Sequence, residues 1–406
     1  MVNVIEILKK LKNSNLFYYV LPWYFISCLI TLTMFDKIYY FSFIASIVRY
    51  FSYFTFALYC FISIVDLNSI NSLRNILLQI IYFFKEHLIL LFSITLAGLI
   101  FISSGNKAPF FLVILLWTCG QFDINKILNI FLYTSAVGMF TTVFAQNLNI
   151  IPDITIMREN GITRYSMGYI YPLEFMVHYL FLVLLYVYLK NERYNYKDFL
   201  LINFINVLLF KITDARTSFI IITIFSFIAL IVKHISFDWF KKLFKVNYLY
   251  CIVFIIAISS IVLSIFYNPN NDALNKLNQL MSGRLLLANK AFNEYGFTLF
   301  GESIKWIGSG TNAIGTVLLS DYNFVDCSYM KNSFDYGIVF LIFTLIVYCV
   351  ILKKQYNEKK FIGIIAILAV LVVSILEPRL VQYEINTFIL LGSSFIVIEN
   401  KEISKL

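Results

Sequence analysis

The stretch "LLFKITDARTSFIIITIF", residues 208–225, is apolar on both sides of a short polar break, Thr213-Asp214-Ala215-Arg216. The flanking runs at 199–213 and 217–232 approach the roughly 20 residues that cross a hydrocarbon core. The reading is two membrane helices joined by a turn so tight that its ionisable groups sit at the headgroups. Outward from this stretch the same pattern repeats. Mean hydropathy is +0.80, and 60% of the 406 residues are hydrophobic against 14% charged. That is more apolar side chain than one globular core can hide. Candidate spans fall at 16–35, 38–64, 87–104, 109–122, 127–147, 169–189, 199–213, 217–232, 248–266, 336–352, 361–376 and 386–398. Lipid offers no partner to unpaired backbone groups, so such runs are helices. The predicted fold is all-α and polytopic, with about twelve transmembrane helices and one large extracytoplasmic loop, 267–335, between the ninth and tenth spans of a single transmembrane domain covering 1–406.

Orientation follows from the cations of the short connections. With both termini cytoplasmic, the tails and the loops at 65–86, 123–126, 190–198, 233–247 and 353–360 hold 17 of the 24 lysines. The net charge of +9 is thus a topology signal that needs no nucleic acid to explain it. No cleavage site of small residues follows the first apolar run, which is therefore expected to be a retained helix. Arginine is distributed differently. Five of the eight, Arg158, Arg164, Arg216, Arg284 and Arg379, fall on the outer side. Snorkelling to the headgroups explains any single one. The set of five points instead to an anionic ligand, because a guanidinium fork meets phosphate in a bidentate way.

Other chemistry is sparse. Cysteines 28, 60, 119, 251 and 349 lie in apolar runs and only Cys327 in a loop, which gives neither a disulfide framework nor a zinc spacing. His87 and His234 fall near cytoplasmic helix ends. His178 stands four residues after Glu174, one turn along the same face of the sixth span; an interhelical structural pair is the ordinary explanation, and a polar cavity the functional one. Arg49 in the second span has the same status. There is no P-loop, dinucleotide fingerprint or Asp-rich metal motif, which argues against a nucleotide-driven pump and a nucleotide-sugar enzyme. No internal repeat is visible, which weakens the case for a transporter.

The connection 267–335 is too long to be a mere linker. Within it, 272–295 carries Leu274, Leu277, Leu280 and Met281, then Leu285 to Leu287, Ala288, Ala291 and Phe292. This predicts an amphipathic hairpin on the membrane surface, broken at Gly283 with Arg284 at the bend. A solvated lid without chemical purpose is an equal reading of the composition.

A polytopic chain with "TDARTS" (213–218) at a helix boundary, "LMSGRLLLANKAF" (280–292) and "LFGES" (299–303) in a large outer loop, and "VDCSYM" (325–330) before a helix opening with "DYG" (335–337) resembles the Wzy-type polysaccharide polymerases of O-antigen, capsule and exopolysaccharide biosynthesis, and their relatives the O-antigen ligases. The motif resemblance covers about 213–337. It implies a glycosyltransferase of the bacterial cytoplasmic membrane that joins undecaprenyl diphosphate-linked oligosaccharide repeat units at the outer face, without cofactor or metal. Its implied partners are the lipid-linked glycan, membrane lipid, a flippase and a chain-length regulator. By resemblance Arg216 and Arg284 match the family's essential arginines, and Asp326 with Tyr329 its Asp-x-x-Tyr element. The ligase branch carries a histidine in the large outer loop, and this chain has none there. The chemistry needs cations for a departing diphosphate and a carboxylate for the acceptor hydroxyl's proton. Asp326, Asp214 and Glu174 are the candidate bases. Arg216, Arg284, Arg164, Arg158, Arg379, Tyr329 and His178 are the candidate substrate contacts. A lipid-linked oligosaccharide flippase and an O-antigen ligase are the alternatives.

Overall fold

The computed structural model describes residues 6, 14–64, 73–157, 161–235, 237, 241, 245–308, 310–311, 317–318 and 322–396. Arg158 lies outside them. Among the described residues, α1 (Leu16–Ile30), α2 (Tyr39–Ile64), α3 (Leu73–Glu86), α4 (Leu88–Ser104), α5 (Ala108–Cys119) and α6 (Ile124–Asn147) precede a two-stranded ribbon, β1 (Thr155–Met157) and β2 (Thr163–Tyr165). Then follow α7 (Pro172–Lys190), α8 (Tyr196–Thr213), α9 (Arg216–Val232), α10 (Val246–Ile265), α11 (Asp272–Leu280) and α12 (Arg284–Tyr295). A second ribbon, β3 (Gly310–Thr311) and β4 (Val317–Leu318), leads to α13 (Ser328–Asp335), α14 (Gly337–Asn357), α15 (Phe361–Leu376) and α16 (Ser393–Ile396).

The protein is all-helical, and its surface suits a membrane. Among the described residues, five helices are long and apolar enough to cross one: Tyr39–Ile64, Ile124–Asn147, Pro172–Arg193, Val246–Ile265 and Gly337–Asn357. Leu16–Ile30, Ala108–Cys119, Arg216–Val232, Phe361–Leu376 and Thr387–Ile396 are apolar but shorter. α7 is buried along most of its length and forms the centre. α2 turns Tyr40, Phe43, Ile47, Tyr50 and Phe54 outward, and α6 turns out Tyr133, Val137, Phe140 and Phe144. Large aromatic side chains repeating every three or four residues on an outer face would be a liability in water; lipid covers them at no cost.

Two segments depart from the expected spans. Residues 65–86 are not merely a loop: α3 is a helix bent 99° against α4, as shown by its Ile76–Glu86 part, with the break at His87. Leu77, Leu78, Ile81 and Tyr82 lie exposed on it. The predicted span 386–398 is not one α-helix. It begins as a 3-10 segment, Thr387–Gly392, with every residue buried, and continues as the single turn α16. It packs closely on α14, where a side chain on Gly392 would come within 2.5 Å of Val347 Cγ1.

The irregular segment before it, 377–386, is buried at Glu377, Arg379, Leu380, Tyr383, Ile385 and Asn386, so its backbone groups need partners. Pro378 ends α15 and holds Glu377 in extended backbone. The Ser328 hydroxyl donates to the Glu377 carbonyl at 2.6 Å and accepts from the Leu380 amide at 3.0 Å. Tyr348 donates to the Leu380 carbonyl at 2.7 Å, and Asn386 Nδ2 reaches the Arg379 and Leu380 carbonyls, each at 2.9 Å.

The connection between α10 and α14 contains the two helices of 272–295, with Gly283 at their break in the left-handed region at φ 85°. Leu286 and Leu287 are half-buried on α12. The end of the connection is interior: apart from Lys331, all of α13 is buried. "LFGES" is pinned beside the α13–α14 junction, where the Glu302 amide donates to the Phe334 carbonyl at 2.9 Å and the Ile338 amide to the Thr298 carbonyl at 3.0 Å.

Candidate functional site

Charged side chains from four separate segments meet at one end of the bundle. Glu377 and Arg379 flank Pro378 at the end of α15. Arg284 is the first residue of α12, Asp326 precedes α13, and Glu174 lies in the first turn of α7. The Arg284 guanidinium holds two carboxylates: Nη2 donates to Glu377 Oε1 at 3.0 Å, and Nε lies 3.2 Å from Asp326 Oδ2 as an ion pair rather than an aligned hydrogen bond. Arg379 pairs with Glu174 and also donates to Gln382. The side chains of Arg284, Glu377 and Arg379 are 10%, 4% and 8% exposed, so this is an interior network of two guanidinium and three carboxyl groups. Glu174 Oε2 and Arg379 Nε have no hydrogen-bond partner among the described residues.

Burial sets the electrostatics. It pushes the Glu377 carboxyl up from 4.5 to about 8, outweighing the pull of Arg284 and Arg379 with the push of Asp326. Asp326 is raised by the same desolvation, against the same two arginines. Desolvation thus favours the protonated form of both carboxyl groups, which leaves Arg284 with charge to offer an anion. Next to them, Lys331 pairs with Asp335 at 3.0 Å and lies 4.4 Å and 4.6 Å from the ring centroids of Trp306 and Phe324.

Four of the residues singled out from sequence, Glu174, Arg284, Asp326 and Arg379, thus meet in one network. Arg164 lies beside it: Nε donates to the Thr213 carbonyl at 2.7 Å, and the guanidinium stands 5.8 Å from the Tyr171 ring at the start of α7. Arg164 therefore ties β2 to the end of α8. Asp214 caps α8 in the left-handed region at φ 46°, a conformation Asp tolerates, and pairs with Arg216 Nε at 3.5 Å. The Arg216 side chain is 56% exposed, in contrast to the buried Arg284. The short α8–α9 turn points the Arg216 side chain to the surface, whereas Arg284 and Arg379 lie in the interior network. Tyr329 is not at the surface of the site. It is fully buried, and its hydroxyl donates to the Leu371 carbonyl at 2.7 Å, a packing role between α13 and α15. His178 is buried with Nδ1 2.8 Å from the Tyr169 hydroxyl, and it joins α7 to the turn before it.

Sequence reasoning missed Glu377, Lys331 and Asp335. Glu377 carried a signal: "EPR" at 377–379 puts an acid and a base either side of a helix-ending proline, much as "TDAR" does at the α8–α9 turn. Among the described residues no three or more His, Cys, Asp or Glu side chains are grouped to hold a metal ion. No family model, no curated protein and no solved structure matches the chain.

Proposed function

We propose that the protein is a membrane polysaccharide polymerase that transfers a glycan from one lipid diphosphate carrier to the next, at the outer face of a bacterial cytoplasmic membrane. The observation that carries the reading is the interior network of Arg284 and Arg379 with Asp326, Glu377 and Glu174. Support for the membrane setting comes from the apolar helices around it, and for the outer face from the lysine distribution. The twelve-span arrangement with cytoplasmic termini belongs to the same proposal.

In this reaction an acceptor hydroxyl attacks the anomeric carbon of the donor. A C–O bond forms, the bond to the diphosphate breaks, and the electron pair leaves with the diphosphate. Arg284 and Arg379 face the charge that grows on the leaving group; donors already fixed in a dry site need no reorganisation as it does so. Asp326, the more exposed of the two carboxyl partners of Arg284 and raised by burial, takes the hydroxyl proton. Arg216, on the rim, and Arg164 are placed to guide the anion rather than to hold it in the transition state.

The test is incubation of the purified protein in lipid nanodiscs with the diphosphate-linked repeat unit of its own cells. A ladder of glycan lengths is the expected product, and Arg284→Lys, which keeps charge and loses the fork, should abolish it while the protein accumulates normally. Movement of the lipid-linked unit across a sealed vesicle with no ladder would assign the chain to the flippases instead.

A further inference from the structure

α10 and α14 pack against each other, and each carries an exposed apolar stripe that runs to a lysine. On α10 the stripe is Val262, Ile258, Ile255, Cys251 and Tyr248, and Lys245 caps the helix one turn beyond. On α14 it is Ile342 and Ile346, followed two turns later by exposed Lys353.

An excess of lysine is common at one end of any membrane bundle. Here two connections are also held together. Phe237, between α9 and α10, packs edge-on against Tyr356 and Phe361, with ring centroids 5.6 Å and 4.9 Å away. Lys241 Nζ stands 5.8 Å from the centroid of Phe237 and 5.7 Å from that of Tyr356. The approach to α10, the end of α14 and the start of α15 therefore meet, with Lys241, Lys245 and Lys353 exposed around the contact. None of the three pairs with a carboxylate among the described residues. Glu358, the one acid described within 233–245 and 353–360, is taken by Lys360 at 2.7 Å.

A ligand that matches this surface is an amphiphile. It brings an anion to the lysines, a polar–apolar boundary to the half-buried rings, and hydrocarbon to the stripes below them. A soluble anion answers only the lysines, and an acidic protein would meet the lysines while the stripes lie beneath its reach. We propose that this end of the α10–α14 pair binds an anionic phospholipid, with its phosphate among Lys241, Lys245 and Lys353 and an acyl chain along the α10 stripe. The site sits at the start of α15, whereas the ion network lies at that helix's end, and it is independent of the reaction proposed above.

Cys251 offers a probe position on the stripe, about 9 Å from Lys245 at 1.5 Å per residue. The full chain carrying Cys349→Ser would be labelled there with bimane and placed in phosphatidylcholine vesicles that contain a minor fraction of phosphatidylglycerol brominated in its acyl chains. Quenching is expected to report brominated phosphatidylglycerol enriched at least about threefold over its mole fraction, with no enrichment when the bromine is carried by the same fraction of phosphatidylcholine. Lys241→Gln/Lys245→Gln/Lys353→Gln should return the value to the mole fraction. Lys276→Gln/Lys290→Gln, exposed on α11 and α12, should leave it unchanged. Inorganic phosphate should not displace the lipid when compared with chloride at matched ionic strength. If the triple variant fails to fold by size exclusion, Lys353→Gln alone serves, with a partial fall expected. Quenching at the mole fraction would overturn the proposal and leave the lysines to a soluble acidic partner. Enrichment that survives the loss of the three lysines, that falls equally in Lys276→Gln/Lys290→Gln, or that yields to inorganic phosphate would overturn it as well.

Discussion

Arg284 is where sequence and structure carry the most weight on one side chain. It reaches Asp326 and Glu377 at once, which only a planar fork with donors on two edges can do. Removing it with Arg284→Met leaves Glu377, 4% exposed, without its closest cation. Breaking a buried pair of charges costs about 3–5 kcal/mol, so the large fall in thermal stability in detergent is expected above about pH 8, where Glu377 is ionised, and a smaller one below it. Arg284→Lys keeps one pairing and should cost far less stability than activity. The contrast between the two variants, read by thermal melting and by glycan ladder, separates the structural from the chemical role. Glu377 adds a pH dependence. Its folded value of about 8 lies above the ordinary 4.5, so between those values the folded protein holds a proton that the unfolded chain has lost. Stability from this group is therefore full below pH 4.5 and declines as pH rises to about 8. Glu377→Gln should flatten the melting temperature over that window; an unchanged slope would place the proton elsewhere.

Among the elements, the "LFGES" strip and the α13–α14 junction form a backbone-to-backbone seam. Gly301 and Gly337 both have positive φ, 83° and 86°. A side chain at either would come within 2.3 Å of the Asp335 carbonyl oxygen or 2.2 Å of that of Leu299. Relief would need movement of main chain, not of a flexible side chain. Gly337→Ala should therefore destabilise by more than the roughly 1 kcal/mol typical of a Gly-to-Ala conflict, with Trp306 fluorescence reporting a loosened cap. α3 makes a different prediction. A helix turned 99° from α4, with Leu77, Leu78, Ile81 and Tyr82 exposed, has the form of one lying in the membrane surface. A bimane probe at Ile81→Cys should be quenched by lipids brominated near the headgroup and little by lipids brominated deep in the chain. Quenching by aqueous iodide alone would show that this face meets water.

For the whole molecule, the contacts sort the connections into two ends. The α4 end meets the long connection through Ser103 and Gly301, 2.7 Å apart, and the network joins the starts and ends of α7, α12 and α15. At the opposite end, Lys190 pairs with Asp198 at 2.7 Å and Lys233 donates to the Tyr194 carbonyl at 3.0 Å. In the proposed topology the first end lies outside. In intact cells, with exposed Cys251 changed to serine, an impermeant maleimide should label Asn270→Cys and leave Glu192→Cys unlabelled until the membrane is opened. The reverse pattern would invert the protein.

The sequence alone placed the helices of α2, α6, α7, α10 and α14 within a few residues, because apolar run length is a local property that needs no knowledge of neighbours. It also marked Arg284 and Arg379 as arginines between apolar runs, Asp326 by resemblance, and Glu174 as an ionisable group within the sixth span. The tertiary structure decided which of these meet. Arg284 and Glu377 are 93 residues apart, and Arg379 and Glu174 are 205. It also decided that Tyr329 packs inward while Arg216 points outward, and that 377–386 is interior. Burial and pairing depend on what the rest of the chain brings alongside, and desolvation, which gives Glu377 its proton affinity, exists only once those remote segments have closed around it.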